Sequence, residues 1–354
     1  MEDLKGYLQE FAKNGITKSI ATTKGIIAAF ISLIIMACLS IYFGAFRSIS
    51  HLRKIKSSEE RIEVMKVKDA AIFPLILSCF LVGLYISLRF SVTFHNSIST
   101  YTSIFLTVCV LGTNILHLAR ILKPYVFKLI PQDFQVHHCL VLESGSESQF
   151  NLHFETADII TLGICSVIAG IYLSNKHWIL SNIFGIAIAI NDIEFWQLNS
   201  FINGCVLLGG LLVYDVFWVF ATDIMSNVAR SIEAPVVLIF PQDVFKNWRT
   251  GTEFTMLGLG DVIIPGIFIA LLLRFDENLK RGQKLYFYSS LIAYILGLVV
   301  TIVICSVFKR GQPAMLYLVP ACIGIPGAIA FLKGDLNALL QYRDYPEEYE
   351  NINQ

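Results

Sequence analysis

The sequence predicts an all-α, polytopic membrane protein with nine transmembrane helices. Three observations carry that prediction. Of 354 residues, 55 % are hydrophobic and 15 % charged, and the mean hydropathy is +0.64, whereas a soluble domain carries about 25 % charged residues. The apolar residues gather into long blocks, each close to the roughly 20 residues needed to cross a bilayer. Two of those blocks each hold one carboxylate well inside them, Asp215 in Leu211–Phe220 and Asp261 in Gly258–Gly266. A charge at that depth is expensive and marks a site. Net charge is zero, so there is no electrostatic footprint for nucleic acid.

Residues 1–24 place Leu4, Tyr7, Leu8, Phe11 and Ala12 at helical spacing among lysines, the pattern of an interfacial helix or a simple tail. The spans follow at Gly25–Phe46, Ala70–Phe90, Tyr101–Leu122, Ala157–Ser174, Trp178–Ile190, Phe201–Thr222, Leu257–Phe275, Leu285–Phe308 and Ala314–Leu332. The first is too long for a signal-peptide core and is read as retained. Trp178–Ile190 is short enough to be re-entrant instead of spanning. Between Phe134 and Phe154, two alternating stretches flank a polar turn, which predicts a β-hairpin. His137, His138 and His153 there read as polar-face residues, not metal ligands. The organisation expected is a tail at 1–24, spans one to five over 25–200 with a hairpin loop at 123–156, catalytic spans six to nine over 201–333, and a tail at 334–354.

Lys and Arg in the loops set the orientation. Placing the loop after the first span in the cytosol puts sixteen basic residues on that side and eleven on the other. The N-terminus is then non-cytosolic and the C-terminus cytosolic. The eight cysteines show no paired spacing, and seven lie in apolar runs, where cysteine behaves as a small hydrophobe. Neither a disulfide framework nor a zinc site is expected, and no cofactor.

Asp215 lies about 21 Å into its span, leaving about 9 Å of a 30 Å core, and Asp261 lies about 6 Å in from the far side of an antiparallel neighbour. Matched depth is what a catalytic pair requires. Two close carboxylates cannot both ionise cheaply, so they share a proton. That state lets one acid activate water while the other donates to a carbonyl oxygen. Asp158, Asp192, Glu194, Asp223 and Asp276 fall at span ends. Gly258 and Gly260 let another backbone approach or make a helix contact, and Pro265 deprives the Asp261 carbonyl of its helical partner. Neither HExxH nor GxSxG occurs, so zinc and serine mechanisms lack their residues.

Tyr214-Asp215 and Gly258-Leu-Gly-Asp261 resemble the YD and GxGD motifs of the presenilin-like intramembrane aspartyl proteases. Gln312-Pro-Ala-Met315 resembles their Pro-Ala-Leu motif, with Met315 in place of leucine, an exchange of similar volume. Phe240-Pro-Gln-Asp243, Met256–Asp261, Arg274-Phe-Asp276 and Leu316-Tyr-Leu-Val-Pro320 are similar to the signal peptide peptidase branch. The resemblance implies a presenilin-like, nine-span protein of the endoplasmic reticulum membrane, with a lumenal N-terminus and a cytosolic C-terminus. It implies an endopeptidase that cleaves membrane-spanning peptides, chiefly remnant signal peptides and type II membrane proteins. Asp215 and Asp261 would be catalytic, supported by Tyr214, Gly258, Leu259, Gly260, Gln312, Pro313, Ala314 and Met315. The lipid bilayer, further copies of the chain and quality-control proteins are the partners implied. The sequence ends Glu350-Asn-Ile-Asn-Gln354, without a KDEL or dilysine signal. Paired acids at depth also suit a proton- or cation-coupled transporter, and a non-catalytic quality-control adaptor is a third reading.

Overall fold

Most of each of the nine apolar blocks lies in one helix among the described residues, which are 23–58, 65–94, 96–131, 137–144, 148–222, 237–247, 253–308 and 312–344 of a computed structural model. The first three helices are α1 (Thr23–Ser58), α2 (Val67–Phe94) and α3 (Asn96–Leu129). A hairpin of β1 (His137–Ser144) and β2 (Ser148–Glu155) leads into α4 (Thr156–Asn175), α5 (Trp178–Phe195) and α6 (Phe201–Phe220). A second hairpin, β3 (Val237–Pro241) and β4 (Phe254–Gly258), encloses the short α7 (Val244–Asn247). Then come α8 (Gly260–Asn278), α9 (Leu285–Phe308), α10 (Met315–Lys333) and α11 (Leu336–Gln341). The proposed interfacial helix of the first 22 residues, the 145–147 turn, Asp223 and the tail beyond 344 lie outside the described residues.

The predicted β1–β2 hairpin is present and antiparallel, with His137 opposite Glu155 and Ser144 opposite Ser148. Its second strand runs straight into α4, where Glu155 and Asp158 form a reciprocal cap. Lys123 of α3 binds both carboxylates, at 3.1 and 2.8 Å.

Among the described residues seven helices, α1, α2, α4, α5, α6, α9 and α10, are long and apolar enough to cross a membrane. The re-entrant alternative for the fifth block gives way to an unbroken helix of 18 residues, about 27 Å long. The apolar run looked short because its polar residues find partners inside the protein. Asn191 Nδ2 donates to Ala187 O and His117 O, both at 2.8 Å, and Glu194 accepts from Arg47 Nε at 2.6 Å.

Helix α8 is the exception that organises the rest. It carries Asp261, Arg274, Asp276 and Glu277, yet residues 265–276 are all buried. A helix buried on every side needs protein on every side, and α1, α5, α6, α9 and α10 supply it. Glycines let these helices close up. A Cβ at Gly204 of α6 would stand 2.6 Å from Phe268, and one at Gly266 would stand 2.5 Å from Ile193 of α5. The helix also begins later than the predicted Leu257, because Leu257 and Gly258 belong to β4.

The two ends of the bundle are tied differently. At one end the start of α1 touches the second hairpin, where Gly25 lies against the carbonyl of Gln242. At the other end the buried Arg274 gathers three elements. Its Nε donates to Asp344 Oδ2 at 2.8 Å, Nη1 to Ser48 Oγ at 2.7 Å, and Nη2 to Leu198 O at 3.3 Å.

Candidate active site

Three helices bring the site together. Helix α6 carries Tyr214 and Asp215, the start of α8 carries Asp261, and the start of α10 carries Met315. Helix α6 packs against both α8 and α10, so the antiparallel neighbours that matched in depth are neighbours in space.

Asp215 is 8 % exposed and accepts a hydrogen bond from the Met315 N–H at 3.0 Å. That N–H is free because the first turn of a helix leaves its amides without intrahelical acceptors. The amides of Leu316, Tyr317 and Leu318 turn back onto Pro313 and Ala314, at 3.3, 3.1 and 3.1 Å, so Met315 is the one aimed at α6. The positive end of the α10 dipole thus faces a carboxylate.

Asp261 occupies the first turn of α8 and is half-buried. The helix that carries Asp215 packs against α8. Among the described residues no donor hydrogen-bonds its carboxylate, in contrast to Asp215. Gly258 gives it room, since a Cβ there would stand 3.3 Å from Asp261 Oδ2. A Cβ on Gly260 would meet nothing within 4 Å, and Gly260 is exposed. The open space beside Gly260 favours the reading in which another backbone comes close over a helix–helix contact. Leu259 between them is buried and points toward α5, near Gly185. The Leu259 carbonyl accepts from both Val262 and Ile263, at 3.0 and 2.8 Å, so the helix opens in a tightened turn.

Of the other predicted site residues, Pro313 is buried and Ala314 caps α10, while Gln312 is half-buried just before them. Tyr214 faces Trp218 one turn on, with ring centroids 6.4 Å apart. Among the described residues its hydroxyl makes no hydrogen bond to Asp215.

The hairpin β3–β4, which ends at Gly258, is the part of the site not foreseen in the sequence. Its two strands are antiparallel, with Ile239 opposite Met256 and Phe240 opposite Thr255. The Gln242 N–H donates to Glu253 O at 2.8 Å and sets the phase of the ladder. Bonded and non-bonded pairs alternate, so Phe240/Thr255 and Leu238/Leu257 face each other. Ile239 on one strand and Met256 and Gly258 on the other then turn their backbone groups outward. No described residue hydrogen-bonds the outward groups of Met256, which is 66 % exposed. Among the described residues, a strand edge without hydrogen-bond partners therefore runs up to the residue three before Asp261.

Known proteins are similar to this chain over most of its length. The family model described as signal peptide peptidase matches residues 57–346. Signal peptide peptidase of Mus musculus is 45 % identical over 337 residues, covering 94 % of this chain and 87 % of that protein. The Homo sapiens protein of that name is 44 % identical over the same shares, and intramembrane protease 2 of Caenorhabditis elegans is 41 % identical over 63 % of this chain and 51 % of its own. A solved presenilin family intramembrane aspartate protease is similar with a TM-score of 0.49 and 17 % identity, over 85 % of this chain and 98 % of that one. The chain belongs to the signal peptide peptidase family and is an intramembrane aspartyl protease, a multi-pass membrane protein acting on membrane-embedded substrates.

Proposed function

We propose that Asp215 and Asp261 are the catalytic pair, and that they hydrolyse a peptide bond of a substrate helix unwound beside them. The observation that supports this best is the asymmetry of two acids on helices packed together: one accepts from the Met315 N–H, and the other has no donor among the described residues and lies beside open space at Gly260. A water between the carboxylates passes a proton to the ionised one, and its oxygen adds to the substrate carbonyl carbon. The protonated carboxyl gives its proton to the carbonyl oxygen, so the tetrahedral intermediate is a neutral gem-diol. The C–N bond then breaks as nitrogen takes the proton that the first carboxylate had accepted from water, and one gem-diol hydroxyl returns its proton to the other carboxylate, leaving a carboxylic acid, an amine and one proton on the pair.

Gly258, Leu259 and Gly260 shape the approach to Asp261. Gln312, Pro313, Ala314 and Met315 form the opposite wall, and Tyr214 supports Asp215 by packing on Trp218. An unwound substrate pairs its backbone with groups that no helix or strand has used.

The substrates in this reading are remnant signal peptides and other membrane helices in type II orientation, in the endoplasmic reticulum. The names of the mouse and human relatives support the substrate class. In this reading the chain spans the membrane nine times, and the lumenal N-terminus and cytosolic C-terminus are supported by the basic-residue bias. Copies of the chain or quality-control proteins are the partners expected around it.

Asp215→Ala and Asp261→Ala in the purified full chain should each lower cleavage of a membrane-helix peptide by at least about 100-fold. The protein should keep its thermal unfolding profile. Cleavage surviving in either variant overturns the pair. Asp215-dependent ion flux into liposomes without any proteolysis would establish the transporter instead.

A further inference from the structure

Strand β3 crosses the first turns of α5. Trp178, Asn182 and Gly185 fall about one turn apart, so they share a face of that helix. Three successive strand residues lie on this face. The Trp178 ring is 5.2 Å from that of Phe240, and Gly185 leaves space for Leu238, whose Cδ2 would stand 3.0 Å from a Cβ there. Between them Asn182 meets Ile239 through two hydrogen bonds. Asn182 Nδ2 donates to Ile239 O at 2.7 Å, and the Ile239 N–H donates to Asn182 Oδ1 at 2.9 Å.

That pair of bonds is what a neighbouring strand makes with an outward-facing residue. The Asn182 carboxamide is one donor and one acceptor in a planar group, and it stands in for one residue of a third strand. The edge of β3 is closed at Ile239, while among the described residues nothing hydrogen-bonds the edge of β4 at Met256 and Gly258. An isolated two-stranded hairpin has two edges, and either can recruit an extended peptide. Pairing on the β3 edge would hold a peptide on the wrong side of the hairpin from Gly258 and Asp261. A shift of one residue along an edge also exchanges every side chain between faces.

We propose that Asn182 is a positioning residue for proteolysis: by occupying the β3 edge as a strand would, it leaves the β4 edge for the unwound substrate and sets which peptide bond reaches the carboxylates. The proposal rests on the reading of Asp215 and Asp261 as catalytic. Asn182 touches neither acid and acts through the hairpin.

The test maps cleavage sites by mass spectrometry on one membrane-helix peptide, with the full chain in proteoliposomes. Wild type, Asn182→Ala and Asn182→Asp are compared, the last keeping the acceptor for the Ile239 N–H and losing the donor. In Asn182→Ala the ratio of the main product to its neighbours should change by about tenfold, the scale of one lost net hydrogen bond. KM should rise more than kcat falls, and Asn182→Asp should lie between. Amide exchange at Ile239 should accelerate in the same order. Faster exchange with a product ratio unchanged within twofold in both variants overturns the proposal, because the clamp is then only structural. If Asn182→Ala does not fold, the product ratio in Asn182→Asp decides by the same criterion. Wild-type cleavage unaffected by Asp215→Ala would remove the catalytic pair, and this proposal with it.

Discussion

An alanine methyl at Gly258 would stand 3.3 Å from Oδ2 of Asp261, so the carboxylate would have to give way by a few tenths of an ångström. Misplacing a catalytic group by about 1 Å costs about 100-fold in rate, so Gly258→Ala should lower kcat by about tenfold while thermal stability stays near wild type. Gly260→Ala meets no neighbour within 4 Å. It should leave stability unchanged, and its effect should fall on KM, because only substrate would contact the new methyl. Equal kcat losses in both variants would show that the room around Asp261 is not what Gly258 provides. At this scale the two acids were legible from the sequence, since depth in an apolar block is a matter of counting. The amide that holds Asp215 was not legible, because a backbone N–H has no letter of its own. Met315 entered by its motif, and the structure supplies its hydrogen bond. Asn182 gave no signal, since an asparagine in a short apolar run looks like an interruption until the strand beside it is seen.

At the scale of elements, the second hairpin was hidden by continuity. Phe254–Gly258 runs into the apolar block of α8, and a short apolar run does not reveal whether it is strand or helix. The boundary at Gly260 comes from the hairpin's pairing with β3. Burial of Arg274 and Asp276 on α8 was equally illegible, because charged residues near a span end are ordinarily read as solvated. The partners of Arg274 lie far away in sequence. Arg274 and Asp344 are almost fully buried and bonded at 2.8 Å, and Tyr342 donates to the other oxygen of Asp344 at 2.5 Å. Removing one member of such a pair leaves a buried charge uncompensated, so Arg274→Ala should cost about 3–5 kcal/mol in unfolding experiments. Undiminished stability would mean that the residues around 344 do not hold α8. A second link joins the α8–α9 turn to the end of α10. Arg281 binds both oxygens of Asp335, at 2.5 and 2.9 Å, and Tyr286 donates to it at 2.9 Å. Those donors, the Arg281 guanidinium first, hold the Asp335 carboxyl below the usual range. The lowered value belongs to the folded state, so the contribution is complete above the unfolded carboxyl value of about 3.9 and fades as pH falls through the folded one. Wild-type Tm should therefore drop in acid more steeply than that of Asp335→Asn, and parallel curves would remove the link.

Across the whole molecule, contacts alternate between the ends of the bundle. The starts of α1, α5 and α10 meet the hairpin or the acids, and Ser48 of α1, Leu198, Arg274 and Asp344 meet at the other end. The all-helical, polytopic character of the chain follows from block lengths, and so was readable; the choice of α8 as the sheathed centre depended on long-range contacts, and was not. The alternation has a mechanical consequence, because the first helix in the sequence buttresses a hairpin more than two hundred residues on. Gly25 lies so close to the Gln242 carbonyl that any Cβ would collide with it. Gln242 is the residue whose amide sets the ladder phase with Glu253. Gly25→Ala must therefore displace either the start of α1 or the hairpin. Helix α1 is held along its length against α5 and α8, whereas the hairpin is a pair of five-residue strands, so the hairpin should yield. Overpacking of this kind costs about 1–3 kcal/mol, which lowers Tm modestly without unfolding the bundle. Cleavage should fall further than Tm suggests, by about tenfold or more, although Gly25 is remote from both acids in the chain. Loss of activity in proportion to the unfolded fraction alone would show that α1 supports the bundle but not the edge on which substrate is held.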